Sequence, residues 1–171
     1  MTHATPAIWG PNLQHTIYAT PLTYRVAADW VRSCRTVADW GGGGGYLGTF
    51  LPPSVEYRVI DGTQQCLDGV VADLTTYLEP SDGIVLRHVL DNTPDWAMVL
   101  RNALQVCQQR LIVVTFTPAA ATTRVVKMKS GWPIWQFNPA DLRDIMGDWL
   151  VQDRPFPTTH PEHVYWLERP C

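Results

Sequence analysis

The sequence lacks runs of like charge and long apolar stretches. Its 171 residues carry 13 Lys and Arg against 16 Asp and Glu, and no basic run offers a surface for nucleic acid. No apolar run approaches the roughly 18 residues of a membrane-spanning helix. The segment 1–6 has no basic region leading into an apolar one, so nothing marks it for export. We therefore expect a cytoplasmic protein whose partners include neither nucleic acid nor membrane.

Paired cysteines are also missing. The four cysteines form no C-x-x-C pair and have no histidine at the spacing of a zinc site, so neither a disulfide framework nor a metal is predicted. The length suits one domain with a core of its own. We predict a single domain over residues 1–171, with an N-terminal segment and helix over 1–35 and an insertion or hairpin over 117–137.

Hydrophobic periodicity predicts helices that alternate with strands. Apolar residues at steps of three and four predict an opening helix over 22–34. Thr93 would cap a later helix that runs to Arg110. Residues 111–116 are an unbroken β-branched and apolar run, which is typical of a strand covered on both faces in a parallel sheet. The middle of the sheet is expected there.

The last third of the sequence predicts one more helix and two strands. Asn138, followed by proline, is expected to cap a helix that ends at Gly147. Residues 149–151 and 163–167 then form two consecutive strands. Alternating strands and helices that finish in consecutive strands indicate a three-layer α/β fold, mostly parallel, with an antiparallel C-terminal strand pair.

A glycine-rich turn follows the first predicted strand, and a short helix over 46–51 follows the turn. In open parallel sheets, ligands bind at the carboxyl ends of the strands. Without a Cβ, Gly41, Gly43 and Gly45 allow the backbone to turn tightly and approach a ligand closely. Asp61 ends the next strand, where a carboxylate can accept hydrogen bonds from both hydroxyls of a ribose. These residues predict a cofactor that contains a nucleoside.

Two kinds of cofactor fit this turn. Gly43, Gly45 and Gly48 also match the G-x-G-x-x-G pattern of dinucleotide-binding proteins. Asp39, just before the glycines, would repel a pyrophosphate but complements the sulfonium and ammonium groups of S-adenosylmethionine. No Tyr has Lys four positions later, so the catalytic pair of a short-chain reductase is missing. Charge favours S-adenosylmethionine, and an NAD(P)-binding oxidoreductase is the alternative.

The sequence resembles the class I S-adenosylmethionine-dependent methyltransferases of the type 11 and type 25 kind. Residues 39–45 look like their D-x-G-x-G-x-G motif, and residues 81–91 are similar to their strand-four block. The resemblance implies a Rossmann-like sheet and cofactor contacts from Asp39, Gly41, Gly43, Gly45, Asp61, Asp73 and Arg87, with Asp73 near the adenine amino group. A Pro-Gly-Gly turn before strand five is absent, as are the catalytic motifs of DNA methyltransferases.

Methyl transfer from a sulfonium is an in-line displacement, so the protein chiefly has to align the reacting atoms. A base helps when the acceptor is a hydroxyl or a protonated amine, and His88 and Asp91 follow strand four. Either residue is a candidate, although His88 also fits a structural imidazole and Asp91 an ordinary turn. We expect transfer to O or N of a small or carrier-linked acceptor, with a non-catalytic cofactor-binding module as a further alternative.

The insertion supplies candidate substrate contacts. The two halves of this insertion, residues 117–137, predict a hairpin across the mouth of the site. Arg124 and Lys127 favour an anionic group, while Trp132 and Trp135 offer area for stacking. Tyr18, in the N-terminal stretch, is expected to help cover the substrate. A hairpin that only covers the sheet and buries its tryptophans is the alternative.

Overall fold

A seven-stranded sheet forms the centre of the protein. The structure is a computed structural model that describes residues 21–63, 69–129, 131–156 and 161–171. The strands of this part of the chain are β1 (Thr36–Trp40), β2 (Glu56–Asp61), β3 (Val70–Val71), β4 (Ser81–Arg87), β5 (Cys107–Thr115), β6 (Arg124–Lys129), β7 (Trp132–Gln136), β8 (Leu150–Phe156) and β9 (Glu162–Glu168). Strands β6 and β7 form a separate hairpin, and the other seven form the sheet in the order β3-β2-β1-β4-β5-β9-β8.

The sheet is parallel except at one side. Strands β1 to β5 run in the same direction, whereas β9 pairs antiparallel with β5, and β8 pairs antiparallel with β9. The last strand in the chain therefore lies inside the sheet, between β5 and β8. This arrangement confirms the predicted sheet, mostly parallel with an antiparallel pair contributed by the C-terminal part of the chain.

Helices cover both faces of the sheet and give three layers. Helix α1 (Pro21–Val31) packs on one face, and α2 (Trp96–Val106) and α3 (Pro139–Met146) lie on the other. The apolar run of β5 is buried on both sides, because Ile112 faces the α1 core while Leu111 faces the core beneath α2 and α3. None of the described helices is long and apolar enough to cross a bilayer.

Two helix predictions were wrong in their details. The expected helix over 46–51 is a 3₁₀ turn at Tyr46–Phe50, because two prolines follow almost at once and leave no room for a longer helix. Helix α2 ends at Val106 rather than Arg110, since residues from Cys107 onward pair with β4. Pairing with a neighbouring strand outweighs the local preference for helix there.

Capping also differs between the two later helices. The hydroxyl of Thr93, the expected N-cap of α2, donates to the carbonyl of Val89 at 2.8 Å, and α2 begins at Trp96 without a side-chain cap. By contrast, Asn138 caps α3 as predicted, accepting a hydrogen bond from the backbone of Ala140 at 3.0 Å. Asn138 therefore satisfies one of the free N–H groups at the start of α3.

The predicted hairpin is present as β6 and β7. It packs against the 3₁₀ turn at Leu90–Asn92, which follows β4. Every residue of β6 is exposed, whereas β7 faces the body of the protein. The hairpin therefore lies beside the segment that carries the candidate bases.

Candidate functional site

The parallel strands bring the main candidate residues to one edge of the sheet. Trp40, near the end of β1, pairs with Ile60 of β2 and with Leu86 of β4, so these three strands end at the same level. Asp61 ends β2, and His88 comes directly after β4. The glycine turn, Asp61 and the strand-four block consequently meet at the carboxyl edge, where ligands of such sheets bind.

The three predicted glycines share an unusual backbone conformation. Gly41, Gly43 and Gly45 have φ angles of 70°, 52° and 74°, in the left-handed region that L side chains rarely adopt. At Gly41 the space is restricted as well, because a Cβ there would lie 2.5 Å from a methyl group of Val89. The N–H of Gly41 donates to the carbonyl of Ile60 at 2.6 Å. This bond ties the start of the turn to β2.

Asp61 is held against the glycine turn. Its Oδ2 accepts the N–H of Gly43 at 3.0 Å, and its Oδ1 accepts the N–H and hydroxyl of Thr63 at 3.0 and 2.9 Å. Each carboxylate oxygen has two lone pairs, so Oδ2 retains capacity for a ligand donor. The carboxylate predicted to bind a ribose is thus fixed in position beside the turn.

Asp39 lies beneath the turn rather than on its open side. Its carboxylate is buried, and the hydroxyl of Tyr57 donates to Oδ2 at 2.6 Å. A Cβ at Gly42 would lie 2.5 Å from the same oxygen, so the turn packs directly on this carboxylate. Burial raises the pKa of Asp39 to about 7, although the Tyr57 hydrogen bond and the charge of Arg87 oppose the shift. A cation bound at the turn would favour the ionised form.

Asp91 connects the loops that follow β4 and β5. Its Oδ1 accepts hydrogen bonds from the backbone N–H groups of Phe116 and Thr117 at 3.0 and 3.3 Å, and from the Thr117 hydroxyl at 3.1 Å. The side chain is fully buried, and Oδ2 has no hydrogen-bond partner among the described residues. Burial raises the pKa of Asp91 to about 7 against these bonds. The Asp91 carboxyl group thus links the loop that follows β4 to the loop that follows β5, beside the candidate site.

Arg87, predicted to contact the cofactor, is buried against α1. Its Nε donates to the hydroxyl of Thr23 at 3.0 Å, and its Nη2 lies 3.2 Å from Oε1 of Glu162. The guanidinium carbon is 3.8 Å from the centre of the Tyr24 ring, within range of a cation–π contact. Arg87 therefore joins β4 to α1 and β9, and its contact with a cofactor stays a prediction.

His88 has a strained backbone and a charged neighbour. Its φ of 59° is unusual for a residue other than glycine, and such strain is concentrated at functional sites. Its Nε2 lies 2.6 Å from Oε1 of Glu162, and its ring makes an edge contact with Phe116. Burial lowers the pKa of His88 despite the carboxylate. We therefore assign a neutral imidazole that donates Nε2–H to Glu162.

The buried carboxyl groups make the pH dependence of stability testable. The pKa of Asp91 is about 7 in the folded chain and about 4 when unfolded, so the folded state binds the proton more tightly. Its contribution to stability is complete below pH 4 and is lost as the pH rises through 7. Urea denaturation at pH 5 and pH 8 should therefore give a smaller fall in unfolding free energy for Asp91→Asn than for the unchanged protein. Equal falls would contradict the raised pKa of Asp91.

The remaining candidates lie in more exposed positions. Asp73 follows β3, and its Oδ1 accepts the N–H and hydroxyl of Thr75 at 2.9 and 2.7 Å, which caps a turn. Arg124 and Lys127 are exposed on β6. The predicted contacts of Asp73 with adenine and of the two cations with substrate stay predictions.

The two predicted stacking residues differ in their packing. The indole N–H of Trp135 donates to the carbonyl of Thr93 at 3.1 Å, and its ring packs against Trp96. Trp132 is half-buried at the hairpin end, paired with Lys129. Tyr18 lies outside the described residues. Trp135 thus joins the hairpin to the core. This packing agrees with the alternative prediction, in which the hairpin only covers the sheet and buries its tryptophans.

Sequence reasoning missed Glu162 and Tyr57. Both reach site residues through the fold: Glu162 contacts His88 across 74 positions, and Tyr57 contacts Asp39 across 18. In the sequence, the signal that could have identified Glu162 is a single carboxylate directly before a predicted apolar strand. Within the described ranges, no group of three or more His, Cys, Asp or Glu side chains is arranged to hold a metal ion.

The fold can be compared with proteins of known structure. No protein-family model and no curated sequence matches the chain. The 1,6-didemethyltoxoflavin N1-methyltransferase of Burkholderia thailandensis superposes with a TM-score of 0.69 over 87% of this chain and 77% of its own, at 14% identity. The magnesium protoporphyrin IX methyltransferase of Synechocystis PCC 6803 gives 0.68 over 87% and 83%, at 15% identity. The chain has the class I methyltransferase fold.

A third example supports the same assignment of fold. The N-methyltransferase NodS of Bradyrhizobium japonicum WM9 gives a TM-score of 0.67 over 88% of this chain and 85% of its own, at 13% identity. All three structures contain S-adenosylhomocysteine. In the class I methyltransferase fold of this chain, the glycine turn leads into the 3₁₀ turn at Tyr46–Phe50 rather than into an α-helix.

Proposed function

We propose that the protein is an S-adenosylmethionine-dependent methyltransferase that acts on an O or N atom of a small or carrier-linked acceptor. The observation that carries this proposal is the left-handed glycine turn held against Asp61 by the hydrogen bond from Gly43. It lies at the carboxyl edge of a sheet with the class I methyltransferase fold. S-adenosylhomocysteine in structures of that fold supports the choice of cofactor.

The charges at the turn favour this cofactor over a dinucleotide. A ribose would use the remaining lone pair on Oδ2 of Asp61, and the backbone of Gly41, Gly43 and Gly45 would lie against the ligand. Asp39 is directly below the turn, where a sulfonium or ammonium group lowers the cost of its ionisation. A diphosphate would increase that cost. Contacts from Asp73 and Arg87 belong to the same proposal.

His88 is the better candidate base of the two. Asp91 is fully buried, and its Oδ1 already accepts three hydrogen bonds. The His88 side chain is also largely buried, at 6% exposed, but it is neutral and is oriented by a carboxylate, which favours it over Asp91 as the group that accepts a proton. The bound cofactor supplies an electrophilic methyl group, and we assign proton removal from the acceptor to His88 and support of the adjoining loops to Asp91.

The substrate would enter beside the hairpin. Arg124 and Lys127 offer positive charge on its exposed strand, and Trp132 lies at its end. Trp135 would contribute from the base of the hairpin, and Tyr18 from the N-terminal segment. An anionic or carrier-linked acceptor fits this charge. A cytoplasmic location and the absence of a nucleic-acid substrate stay predictions from the sequence.

Calorimetry with S-adenosylhomocysteine and with NAD tests the cofactor. We expect S-adenosylhomocysteine to bind more tightly, and Asp61→Ala to weaken it by about 10- to 100-fold, because hydrogen bonds to a charged group contribute about 1.5–3 kcal/mol. Asp29→Ala, on the exposed side of α1, is the matched control and should leave affinity unchanged. Tighter binding of NAD would overturn the proposal in favour of an oxidoreductase.

Turnover separates an enzyme from a cofactor-binding module. His88→Ala should retain affinity for S-adenosylhomocysteine and lose methyl transfer to small hydroxyl and amine acceptors. If the unchanged protein binds the cofactor but methylates none of a broad acceptor panel, the module becomes the better interpretation.

A further inference from the structure

Strand β6 of the hairpin is open to solvent along its whole length. All of its residues are exposed, including three large apolar ones: Val125, Val126 and Met128 have 42%, 47% and 59% of their surface exposed. The strand pairs with β7, and no other described strand lies along its outer edge. A free edge presents a row of backbone N–H and C=O groups, and a two-stranded sheet gains stability from a third strand. An extended chain can therefore be added to β6.

The register of the hairpin separates the charged side chains of β6 from the apolar ones. Its cations pair with alternate residues of β7 and therefore share one face; they are Arg124, Lys127 and Lys129. Val125 pairs with Trp135 on the other face, and Met128 follows on the same side. Trp135 packs against the core, so this face turns toward the body of the protein, yet both apolar side chains of β6 stay exposed. A strand that alternates acidic and apolar residues would complement both faces.

The sequence around β6 carries charge of one sign. No Asp or Glu occurs between Asp95 and Asp141, and the same span has five cations, although the whole chain has a net charge of -3. Nη2 of Arg124 lies 3.3 Å from the neutral amide oxygen of Gln136. Opposite charges on neighbouring strands stabilise their pairing, and like charges oppose it. Pairing between two copies of β6 would bring two sets of three cations together, so the edge favours an acidic strand over a second copy.

The other strand edges of the described structure are less suited to a partner. At one end of the large sheet, β3 has two residues, which is too short for stable pairing. At the other end, β8 carries Pro155, and in the hairpin β7 carries Pro133, and neither proline has an N–H to donate. β6 contains no proline or glycine and has two adjacent valines, which favour extended structure. Within the described residues, β6 is therefore the edge best suited to an extended partner.

We propose that β6 docks an acidic, extended segment of a polypeptide, which joins the hairpin as a third strand. Carboxylates of the segment would face the three cations of β6, and its apolar residues would cover Val125 and Met128. The backbone of the segment would pair with the outer edge of β6, which a lipid headgroup or a nucleic acid would leave unpaired. Backbone pairing and charge together thus select a polypeptide that is acidic.

A polypeptide docked on β6 would lie close to the proposed reaction. The hairpin packs against the 3₁₀ turn at Leu90–Asn92, and the indole of Trp135 donates to the carbonyl of Thr93. Both contacts are with the segment that follows β4 at the carboxyl edge. In this respect the inference rests on the proposed function: of the two kinds of acceptor, it favours the carrier-linked one, with the acidic polypeptide as the carrier. The docking itself requires no cofactor.

A synthetic peptide tests the docking on the unmodified protein. The probe has seven alternating residues of glutamate and valine, with acetyl and amide ends. In ¹⁵N-labelled protein, we expect it to shift the amide signals of residues 124–129 and to slow hydrogen exchange at the outer edge of β6. The same peptide N-methylated at two adjacent central residues keeps its charges but lacks one N–H on each edge, so it should bind about 2- to 10-fold more weakly. Equal binding of the two peptides, or shifts confined to other parts of the chain, would overturn the proposal.

A pair of charge variants tests the role of the cations. Arg124→Gln combined with Lys127→Gln should weaken binding of the fluorescein-labelled peptide by about 2- to 30-fold in an anisotropy titration, because two charge pairs are lost. Arg32→Gln combined with Arg35→Gln is the matched control: it changes the net charge equally, and these side chains are 65% and 84% exposed outside the hairpin. The control should leave the affinity unchanged. If both double variants weaken binding equally, net charge explains the effect and β6 is not the docking edge.

The remaining outcomes distinguish other ligands and the proposed function. Vesicles that contain phosphatidylserine and a short DNA duplex are titrated in the same way. Tighter binding of either one than of the peptide, lost in the double variant of Arg124 and Lys127, would replace the polypeptide by a membrane or a nucleic acid. If the unchanged protein fails to bind S-adenosylhomocysteine but binds the peptide through β6, the proposed function fails and the docking stands. If it methylates small acceptors and does not bind the peptide, only the docking fails.

Discussion

Gly41→Ala should destabilise the protein severely and abolish cofactor binding. Its φ of 70° costs an L residue about 1–2 kcal/mol, and forcing a methyl group into a packed region adds about 1–3 kcal/mol. The new Cβ would lie 2.5 Å from Val89, so either the turn or the segment after β4 has to move. We expect urea denaturation to show a loss of about 2–5 kcal/mol in unfolding free energy, since the backbone cost and the packing cost add together.

Gly43→Ala is the matched control for this substitution. Its φ of 52° carries the same backbone penalty, but nothing lies within 4 Å of an added Cβ. The expected loss is therefore the backbone cost alone, about 1–2 kcal/mol. If Gly43→Ala lowers stability as much as Gly41→Ala, close packing against Val89 does not explain the effect.

Arg87→Met should cost about 3–5 kcal/mol of unfolding free energy, because it leaves the carboxylate of Glu162 buried without its counter-charge. Methionine keeps an apolar chain in the space, so lost volume contributes little. Thermal and urea denaturation measure the loss. Arg32→Met provides the control: Arg32 and Asp29 have side chains 65% and 77% exposed, and such pairs contribute at most about 1 kcal/mol.

A double variant tests the cause of that loss. Arg87→Met combined with Glu162→Gln removes both charges, so it should recover part of the stability that Arg87→Met loses. If the double variant is no more stable than Arg87→Met, the unpaired carboxylate is not the cause.

Local patterns predicted most of the fold. The opening helix, the cap at Asn138, the hairpin and the apolar strand within β5 all follow from residues that are near each other in sequence. The errors arise where a distant strand decides the structure. Residues 107–110 contain two glutamines and an arginine that continue a helical pattern, yet the register with β4 and β9 makes them a strand.

The same contrast between local signals and distant contacts applies to the candidate site. The glycine turn and Asp61 carry backbone and charge signals that a sequence displays directly, and the structure places them in contact. The burial of Asp39 beneath the turn could not be predicted, because it depends on Tyr57 in the neighbouring strand. Glu162 lies just before the predicted last strand, so only the insertion of β9 beside β5 gives it a role.

The insertion of β9 between β5 and β8 also determines the order of events during synthesis. Arg87 leaves the ribosome 75 residues before Glu162, so a nascent chain can assemble β1 to β5 while that carboxylate is still inside the exit tunnel. The growing sheet must keep its β5 side open until β9 arrives. The carboxyl edge of the sheet is therefore completed late, after β9 has left the ribosome.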